Sequence, residues 1–355
     1  MSVVERTIKK IYPQDSTSRE MARERLEKLA MPHWALGRLM DLAVDLAGMT
    51  RSIAPDLSRK TIVTMAADHG VVAEGVSKYP SAVTRQMLYN FVRGQAGVNA
   101  LAGQAGADVV IVDMGVAGDL TELVAAGKVI NKKVGLGTGN IAQGPAMSKA
   151  MARRAVESGI DVAESLAPDT DIFATGDMGI GNTTPSTAIA AVCTGKDVAQ
   201  LAGRGTGLND RQLRQKIAVI KRALQVEPID TTDAIDILAK VGGFEIGGLA
   251  GLILGAAACQ KPVVIDGFIS TAAALIASTL EPFVKDYLIF SHRSVEPGHQ
   301  AMYEYLGCRQ PLLDLGFRLG EGTGAAVALN LVEGAVCILT QIATFEESAV
   351  SGADK

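Results

Sequence analysis

Short, mostly apolar segments recur along the chain, and glycines and polar residues collect at the end of each one. The five segments occupy positions 61–67, 108–112, 171–174, 262–265 and 287–290. A short run with apolar side chains on both faces is typical of a strand buried inside a parallel sheet. We therefore predict a strand at each of these segments.

Helical stretches separate the predicted strands. They lie at 84–102, 149–166, 185–192, 210–224 and 244–259. Leucines near helical spacing also predict helix over 16–47, which Pro32 divides into two. Alternating strands and helices predict an α/β protein with three α/β/α layers and a mainly parallel, Rossmann-like sheet. Ligands of such sheets bind beyond the carboxyl ends of the strands, where the Asp, Glu, Gly, Ser and His residues of this chain collect.

The two ends of the chain are predicted to form a small helical subdomain beside the sheet. Residues 1–50 would supply its first helices, residues 55–320 the catalytic α/β domain, and residues 321–355 a long C-terminal helix. The apolar runs 246–259 and 325–345 are expected to be buried helices, because the first is too short to cross a bilayer and the second contains polar residues. The first residues lack the pattern of a secretory signal, so we expect a cytoplasmic protein without a membrane partner.

Composition and charge narrow the classes of function. The chain has 355 residues, of which 48% are hydrophobic, 20% charged and only 4% aromatic, and its formal net charge is -4. Without a Lys/Arg-rich stripe or an excess of aromatic residues, a nucleic-acid partner is not expected. The four histidines lack the spacing of metal ligands, and no metal site is predicted.

Three glycine-rich segments are candidates for chemistry. The first, 175–186, follows a strand and opens a helix, with Thr184 suited to the N-cap and Pro185 to the first turn. Backbone N–H groups at such a helix start can bind an anion, although a tight turn without a ligand explains the glycines equally well. The spacing G-x-x-G-x-G matches neither a dinucleotide fingerprint nor a P-loop.

The second segment, 203–210, alternates glycine with polar residues, and Asp210 could cap the helix that follows. Lys216 on that helix could reach a phosphate, but its spacing fits a solvated surface lysine better. The third segment, 320–324, places Glu321 between two glycines before a long apolar helix. Those glycines would let the chain turn sharply and present the carboxylate to a cavity as a general base, although a capping role is an equal alternative.

These segments together resemble one family, the nicotinate-nucleotide–dimethylbenzimidazole phosphoribosyltransferases of cobalamin nucleotide-loop assembly. Matching pieces occur in order along the chain at 67–71, 176–184, 203–207, 241–246, 264–268, 291–292 and 319–324. Each piece alone is weak, and the ordered set is specific. Position 177 holds Asp where some family members have Glu.

The resemblance implies a parallel α/β sheet with a small helical domain, a homodimer, and no cofactor. It implies that Glu321 is the catalytic base. It also implies a set of substrate-binding residues: Gln86, Asp177, Gly179, Gly181, Asn182, Thr183, Thr184, Gly203, Gly205, Lys216 and Ser291. The reaction would move the phosphoribosyl group of nicotinate mononucleotide onto dimethylbenzimidazole, giving α-ribazole phosphate and nicotinate.

Two alternatives remain open at the level of sequence. The same chemistry could use another acceptor, such as adenine, a different benzimidazole or a phenolic compound, because pocket shape decides acceptor choice. A protein that binds nucleotides or azoles without catalysis is the second alternative. A dinucleotide-dependent oxidoreductase is disfavoured, because residues 66–70 do not supply the expected glycine fingerprint.

Overall fold

In the part of the chain that the structure describes, six strands form one sheet in which every neighbouring pair runs parallel. The computed structural model describes residues 1–308 and 310–351 of the protein. Its strands are β1 (Lys60–Ala67), β2 (Ala107–Gly115), β3 (Ile130–Asn131), β4 (Ile172–Met178), β5 (Val263–Ile265) and β6 (Leu288–Phe290). Their order across the sheet is β3-β2-β1-β4-β5-β6. The predicted strands are confirmed, and β3 was missed because a two-residue edge strand carries no periodic pattern.

Helices cover both faces of the sheet. They are α1 (Val3–Ile8), α2 (Ser16–Glu27), α3 (Arg38–Thr50), α4 (Ala82–Val92), α5 (Gly97–Ala105), α6 (Thr121–Ala125), α7 (Lys149–Leu166), α8 (Thr183–Thr194), α9 (Val198–Leu201), α10 (Asp210–Val226), α11 (Ala234–Val241), α12 (Phe244–Ala258), α13 (Phe268–Leu280), α14 (Gly298–Leu306), α15 (Thr323–Gln341) and α16 (Phe345–Ser348). Short 3₁₀ turns lie at Gly70–Glu74, Ala167–Asp169 and Pro282–Tyr287.

The alternation of side chains along β1 shows the three layers. Met65 packs towards Gly248 of α12, whereas Ile62 packs towards Gly322 at the start of α15. Helix α7 lies against α12, and a Cβ atom on Gly159 would come within 1.8 Å of the Gly248 carbonyl oxygen. That backbone contact permits glycine alone, so the small residues of these two helices set how closely they approach. The predicted three-layer α/β/α architecture is confirmed.

One predicted helix is divided in the structure, and some observed helices, such as α13, were not predicted. The single helix expected over 84–102 is two helices, α4 and α5, because Gly94 adopts a left-handed conformation (φ +71°) just after α4 and ends it. Helix α13 was not predicted, because it is buried on nearly every side and lacks the polar face that gives a helical period. The division of 16–47 around Pro32 is confirmed by α2 and α3.

Helices from both ends of the chain pack together. Helix α15 lies against α3, and the Arg25 side chain of α2 donates a 2.9 Å hydrogen bond to the Leu339 carbonyl. Helix α1 packs instead on α7 and α12. The proposed domain boundaries at 50–55 and 320–321 stay predictions. Helix α15 has the length and apolar character of a membrane span by composition alone, and 56% of it is buried in the fold.

Candidate active site

A cavity of about 780 Å³ opens beyond the carboxyl ends of β4, β5 and β6. Its floor is formed by the loops that follow these strands, and one side wall by Val83 and Met87 of α4. Residues 316–321, which precede α15, form another wall. This is the edge at which a parallel α/β sheet binds its ligands. The predicted site residues that line the cavity are Asp177, Gly179, Gly181, Asn182, Thr183, Gly205 and Glu321.

Glu321 sits in a sharp turn of three successive left-handed residues. Its φ angle is +65°, between Gly320 at +80° and Gly322 at +105°. The backbone of Glu321 is fixed on both sides, since its N–H donates to the Asp177 carbonyl and its own carbonyl accepts from the Thr64 hydroxyl at 2.8 Å. A non-glycine residue held in this region carries a strain of about 1–3 kcal/mol. The surrounding hydrogen bonds over-determine the turn and hold the carboxylate in place.

Residue Glu321 is 4% exposed, and its carboxylate lies at the start of another helix, α5. Its Oε2 atom accepts a 3.2 Å hydrogen bond from the Val98 backbone N–H. Burial raises the pKa of Glu321 above its ordinary value, and hydrogen bonds from the backbone N–H groups of Val98 and Gly97 oppose that rise. The helix N-terminus that stabilises its charge is therefore that of α5, not that of the helix following it in sequence.

Asp177 faces Glu321 from the end of β4. The Asn182 amide donates a 2.9 Å hydrogen bond to Oδ2 of Asp177, whereas Oδ1 is buried without a partner among the described residues. Burial and the charge of Asp266 raise the pKa of Asp177 to about 8, and the Asn182 hydrogen bond opposes that rise. This carboxyl group is therefore mainly protonated at neutral pH.

The glycines after β4 permit close backbone contacts. A Cβ atom on Gly179 would lie 2.6 Å from the Ala67 carbonyl oxygen, and Gly181 has a φ of +87°. Helix α8 begins at Thr183, so Thr184 lies in its first turn and is not the predicted N-cap. The Thr184 N–H donates to the Gly181 carbonyl in this tight turn, which leaves fewer amides for an anion than expected.

Lys216 is fully buried, so the interpretation as a solvated surface lysine is wrong. Its ammonium group donates to the Thr183 hydroxyl at 2.8 Å and to the Gly203 carbonyl at 3.2 Å. Burial lowers the pKa of Lys216 to about 8, against the attraction of Glu296. Lys216 and Gly203 thus lie just behind Thr183 and Gly205, which line the cavity.

Asn209, not Asp210, caps the helix that carries Lys216. The Asn209 side chain accepts from the Gln212 N–H, and the Gln212 side chain accepts in return from the Asn209 N–H. This reciprocal pair is a capping box, with Asp210 as the first helical residue.

Five predicted contact residues are not part of the cavity lining, namely Thr184, Gly203, Lys216, Gln86 and Ser291. Gln86 of α4 is exposed, and its neighbours Val83 and Met87 reach the cavity instead. Ser291 is fully buried, and its hydroxyl donates a 2.6 Å hydrogen bond to the Asp266 carbonyl. For Gln86 and Ser291, the sequence predicts the element on which the residue lies but not the direction in which its side chain points.

Sequence reasoning missed Asp266, His292 and Glu296. The Asp266 carboxylate is fully buried at the end of β5 and accepts from the N–H groups of Gly322 and Ala325, which fixes the start of α15 beside Glu321. His292 and Glu296 follow β6 and line the cavity. Their position after a predicted strand is the signal that could have found them.

His69 forms a buried pair behind the cavity. Its Nε2 atom lies 2.8 Å from Oε1 of Glu245, and both side chains are almost completely enclosed. This contact gives His69, at the end of β1, a structural hydrogen-bonding role.

Comparisons with known proteins place this geometry in a family. A phosphoribosyltransferase family profile matches residues 11–350. The nicotinate-nucleotide–dimethylbenzimidazole phosphoribosyltransferase of Desulfotalea psychrophila is 64% identical over 355 residues, covering 100% of both chains. The chain belongs to the nicotinate-nucleotide–dimethylbenzimidazole phosphoribosyltransferase family. The family member of Syntrophotalea carbinolica is 55% identical over 99% of both chains.

Solved structures of this family share the fold. The crystal structure of CobT from Thermus thermophilus superposes with a TM-score of 0.90 at 42% identity, covering 95% of this chain and 100% of that one. The sequence-based assignment to this phosphoribosyltransferase family and its α/β architecture is confirmed.

Proposed function

We propose that this protein transfers the phosphoribosyl group of nicotinate mononucleotide to dimethylbenzimidazole. The products are α-ribazole phosphate and nicotinate, and the first supplies the lower ligand of cobalamin. The observation that carries the proposal is the buried Glu321 carboxylate, held in a strained turn on the wall of a cavity at the carboxyl edge of the sheet. Both the family and the direction of this side chain support the assignment of Glu321 as the base.

The leaving group needs little assistance. Nicotinate is attached to ribose through a positively charged ring nitrogen, and it departs as a neutral ring. One nitrogen of the benzimidazole attacks C1′ from the opposite face, which converts the β-nucleotide into an α-ribotide. The other benzimidazole nitrogen carries a proton that becomes acidic as charge builds on the ring.

Glu321 would accept that proton. Its raised pKa makes the carboxylate a stronger base, while the N–H groups of Gly97 and Val98 keep the ionised form accessible. A positioned general base accelerates such a step by roughly 10² to 10⁴-fold. Holding the two rings in line with C1′ must supply much of the remaining acceleration.

We assign the acceptor base to the apolar side of the cavity next to Glu321. A Cβ atom on Gly97 would lie 2.8 Å from Leu319 Cδ2 and 3.3 Å from Glu321 Oε2, so Leu319 and the carboxylate adjoin each other. Phe317, Val83 and Met87 line the same cavity. An apolar wall beside one carboxylate suits a methylated aromatic ring with a single N–H.

We assign the phosphate of the nucleotide to the side of the cavity near Lys216. The ammonium group already donates to Thr183 and Gly203, and none of the described residues accepts a hydrogen bond from its third N–H. The glycine at 205 leaves the backbone open there, since a Cβ atom would lie 3.0 Å from the Thr183 hydroxyl and 3.6 Å from Lys216 Nζ. Asp177, Gly179, Gly181, Asn182 and Thr183, which line the cavity, remain part of this proposal.

The test is incubation of the purified protein with nicotinate mononucleotide and a panel of bases, followed by mass analysis. We expect nicotinate release that depends on dimethylbenzimidazole and yields α-ribazole phosphate. Adenine, another benzimidazole or a phenol giving a higher kcat/KM would change the acceptor while keeping the chemistry. Binding of both ligands without any nicotinate release would contradict the proposal and indicate a non-catalytic binder.

We also propose that the protein is a homodimer, as the family resemblance implies, and that it is cytoplasmic. Light scattering on the purified chain should give twice the mass of 37.0 kDa. Cell fractionation would test the location.

A further inference from the structure

His292, which follows β6, is almost completely buried yet lines the cavity. Its side chain is 3% exposed, and its ring lies 5.4 Å from that of Phe317. Gly324 leaves the space that the ring fills, since a Cβ atom there would lie 1.9 Å from Nδ1. The ring is therefore held in one orientation by its surroundings.

The hydrogen bonds around His292 fix its tautomer. The Ser291 hydroxyl donates to the Asp266 carbonyl at 2.6 Å, so its proton is already committed. The same hydroxyl oxygen lies 3.0 Å from His292 Nδ1 and must act as the acceptor of that contact. Nδ1 therefore carries the hydrogen, and Nε2 presents a lone pair.

The lone pair of Nε2 is directed into the cavity. None of the described residues forms a hydrogen bond to Nε2. The atom is nevertheless accessible, because it is absent from the set of fully buried polar atoms without a partner. It lies beside Gly267, another residue of the cavity lining. Burial lowers the pKa of His292 to about 4, so the ring is neutral at neutral pH and Nε2 is an acceptor.

Few groups on the two substrates can donate to such an acceptor. The phosphate and carboxylate of nicotinate mononucleotide are acceptors at neutral pH, and its ring nitrogen carries no hydrogen. The single N–H of the benzimidazole is assigned to Glu321. Only the 2′ and 3′ hydroxyl groups of the ribose remain as donors.

We propose that His292 binds the nucleotide by accepting a hydrogen bond from a ribose hydroxyl at Nε2. This inference rests on the proposed function. It assigns Ser291 a positioning role, in which its hydroxyl holds the His292 ring through Nδ1 and does not touch substrate. The site would therefore recognise ribose through a neutral, pre-oriented acceptor.

The test combines a His292→Phe substitution with two analogues, 2′-deoxy and 3′-deoxy nicotinate mononucleotide. Phe keeps the ring shape and removes the acceptor. In the unaltered protein we expect one of the analogues to lower kcat/KM about three- to tenfold, as loss of a neutral hydrogen bond would. In the His292→Phe protein that analogue should react as well as the full nucleotide, because the contact is already absent.

A second pair of variants keeps the test decisive if the Phe substitution disturbs folding. His292→Gln places an amide near the position of Nε2 and should retain part of the discrimination against the deoxy analogue. His292→Asn can reach Ser291 but not that position, and should lose the discrimination. Thermal unfolding of each variant shows whether the protein is folded.

Phe317→Leu is the matched control, because it alters the same wall without changing a polar atom. Its effect on kcat/KM should multiply with that of each deoxy analogue. Equal analogue penalties in the unaltered and His292→Phe proteins would overturn the proposal, leaving His292 a structural residue. An unaltered protein that releases no nicotinate at all would overturn the proposed function and this inference together.

Discussion

Replacing Glu321 with Gln tests the proposed base while leaving the turn intact. Gln has nearly the same size, and its side-chain oxygen can still accept from the Val98 N–H that now binds Glu321 Oε2 at 3.2 Å. The backbone bonds of residue 321 to Asp177 and Thr64 do not involve the side chain. We therefore expect the variant to fold and to bind the nucleotide almost normally.

The expected loss is in turnover. Removing a general base costs roughly 10² to 10⁴-fold, or about 3 to 5 kcal/mol in the activation barrier. The pH dependence should change as well. Because burial raises the pKa of Glu321 from 4.5, kcat/KM of the unaltered protein should fall as the pH drops through that raised value. The Gln variant should lack this acidic limb.

Steady-state kinetics from pH 4.5 to 8.5, with nicotinate release as the signal, separates these effects. Glu304→Gln is the control, since Glu304 is a surface residue paired with Lys196 and lies outside the cavity. It should leave kcat, KM and the pH profile unchanged. A Glu321→Gln protein with normal turnover, or one with an intact acidic limb, would refute the role of this carboxylate.

Three further substitutions test other parts of the site. Lys216→Met should raise KM for nicotinate mononucleotide about 10- to 100-fold, the loss expected for a charge-assisted hydrogen bond, and an unchanged KM would exclude a phosphate contact. Asp177→Asn should make the melting temperature less dependent on pH. Because the pKa of Asp177 is about 8 in the folded protein, its contribution to stability is greatest at acid pH and is lost as the pH rises towards that value. Identical pH dependence in both proteins would contradict this. Gly322→Ala should lower the unfolding free energy by about 1–3 kcal/mol, because its φ is +105° and a Cβ atom would lie 2.6 Å from Ile62. Chemical denaturation measures that loss, and a variant as stable as the unaltered protein would show that the turn relaxes.

The sheet and its ligand-binding edge could be predicted because both follow from local patterns. Apolar runs on both strand faces identify buried parallel strands, and glycines with carboxylates at strand ends mark the edge where a ligand binds. Glu321 was identifiable from sequence because a glutamate between two glycines indicates a sharp turn of the backbone. The structure gives its physical meaning, since residues 320–322 all adopt left-handed conformations.

Side-chain environment could not be predicted in the same way. Lys216 lies on a capped helix at a position with ordinary surface spacing, and only the fold shows that the glycine loop 203–207 lies over its ammonium group. Gln86 and Met87 are adjacent in sequence, yet the helix turns one outward and the other into the cavity. Ser291 and His292 are also adjacent in sequence, yet the Ser291 hydroxyl donates to the Asp266 carbonyl while His292 lines the cavity.

The buried carboxyl groups of this cavity bear on the proposed chemistry, because a cationic substrate binds beside them and leaves as a neutral ring. Burial raises the pKa values of Asp177, Asp266 and Glu321, so ionising any of them is costly until a cation arrives. The nicotinate nucleotide brings a cationic ring, which would stabilise one ionised carboxylate. When the ring leaves neutral and Glu321 takes the proton of the base, the ion pair becomes two neutral groups. Before the reaction, the cationic substrate keeps Glu321 ionised in spite of its burial. The same burial favours the neutral, protonated form of Glu321, so it promotes the transfer of the proton from the base.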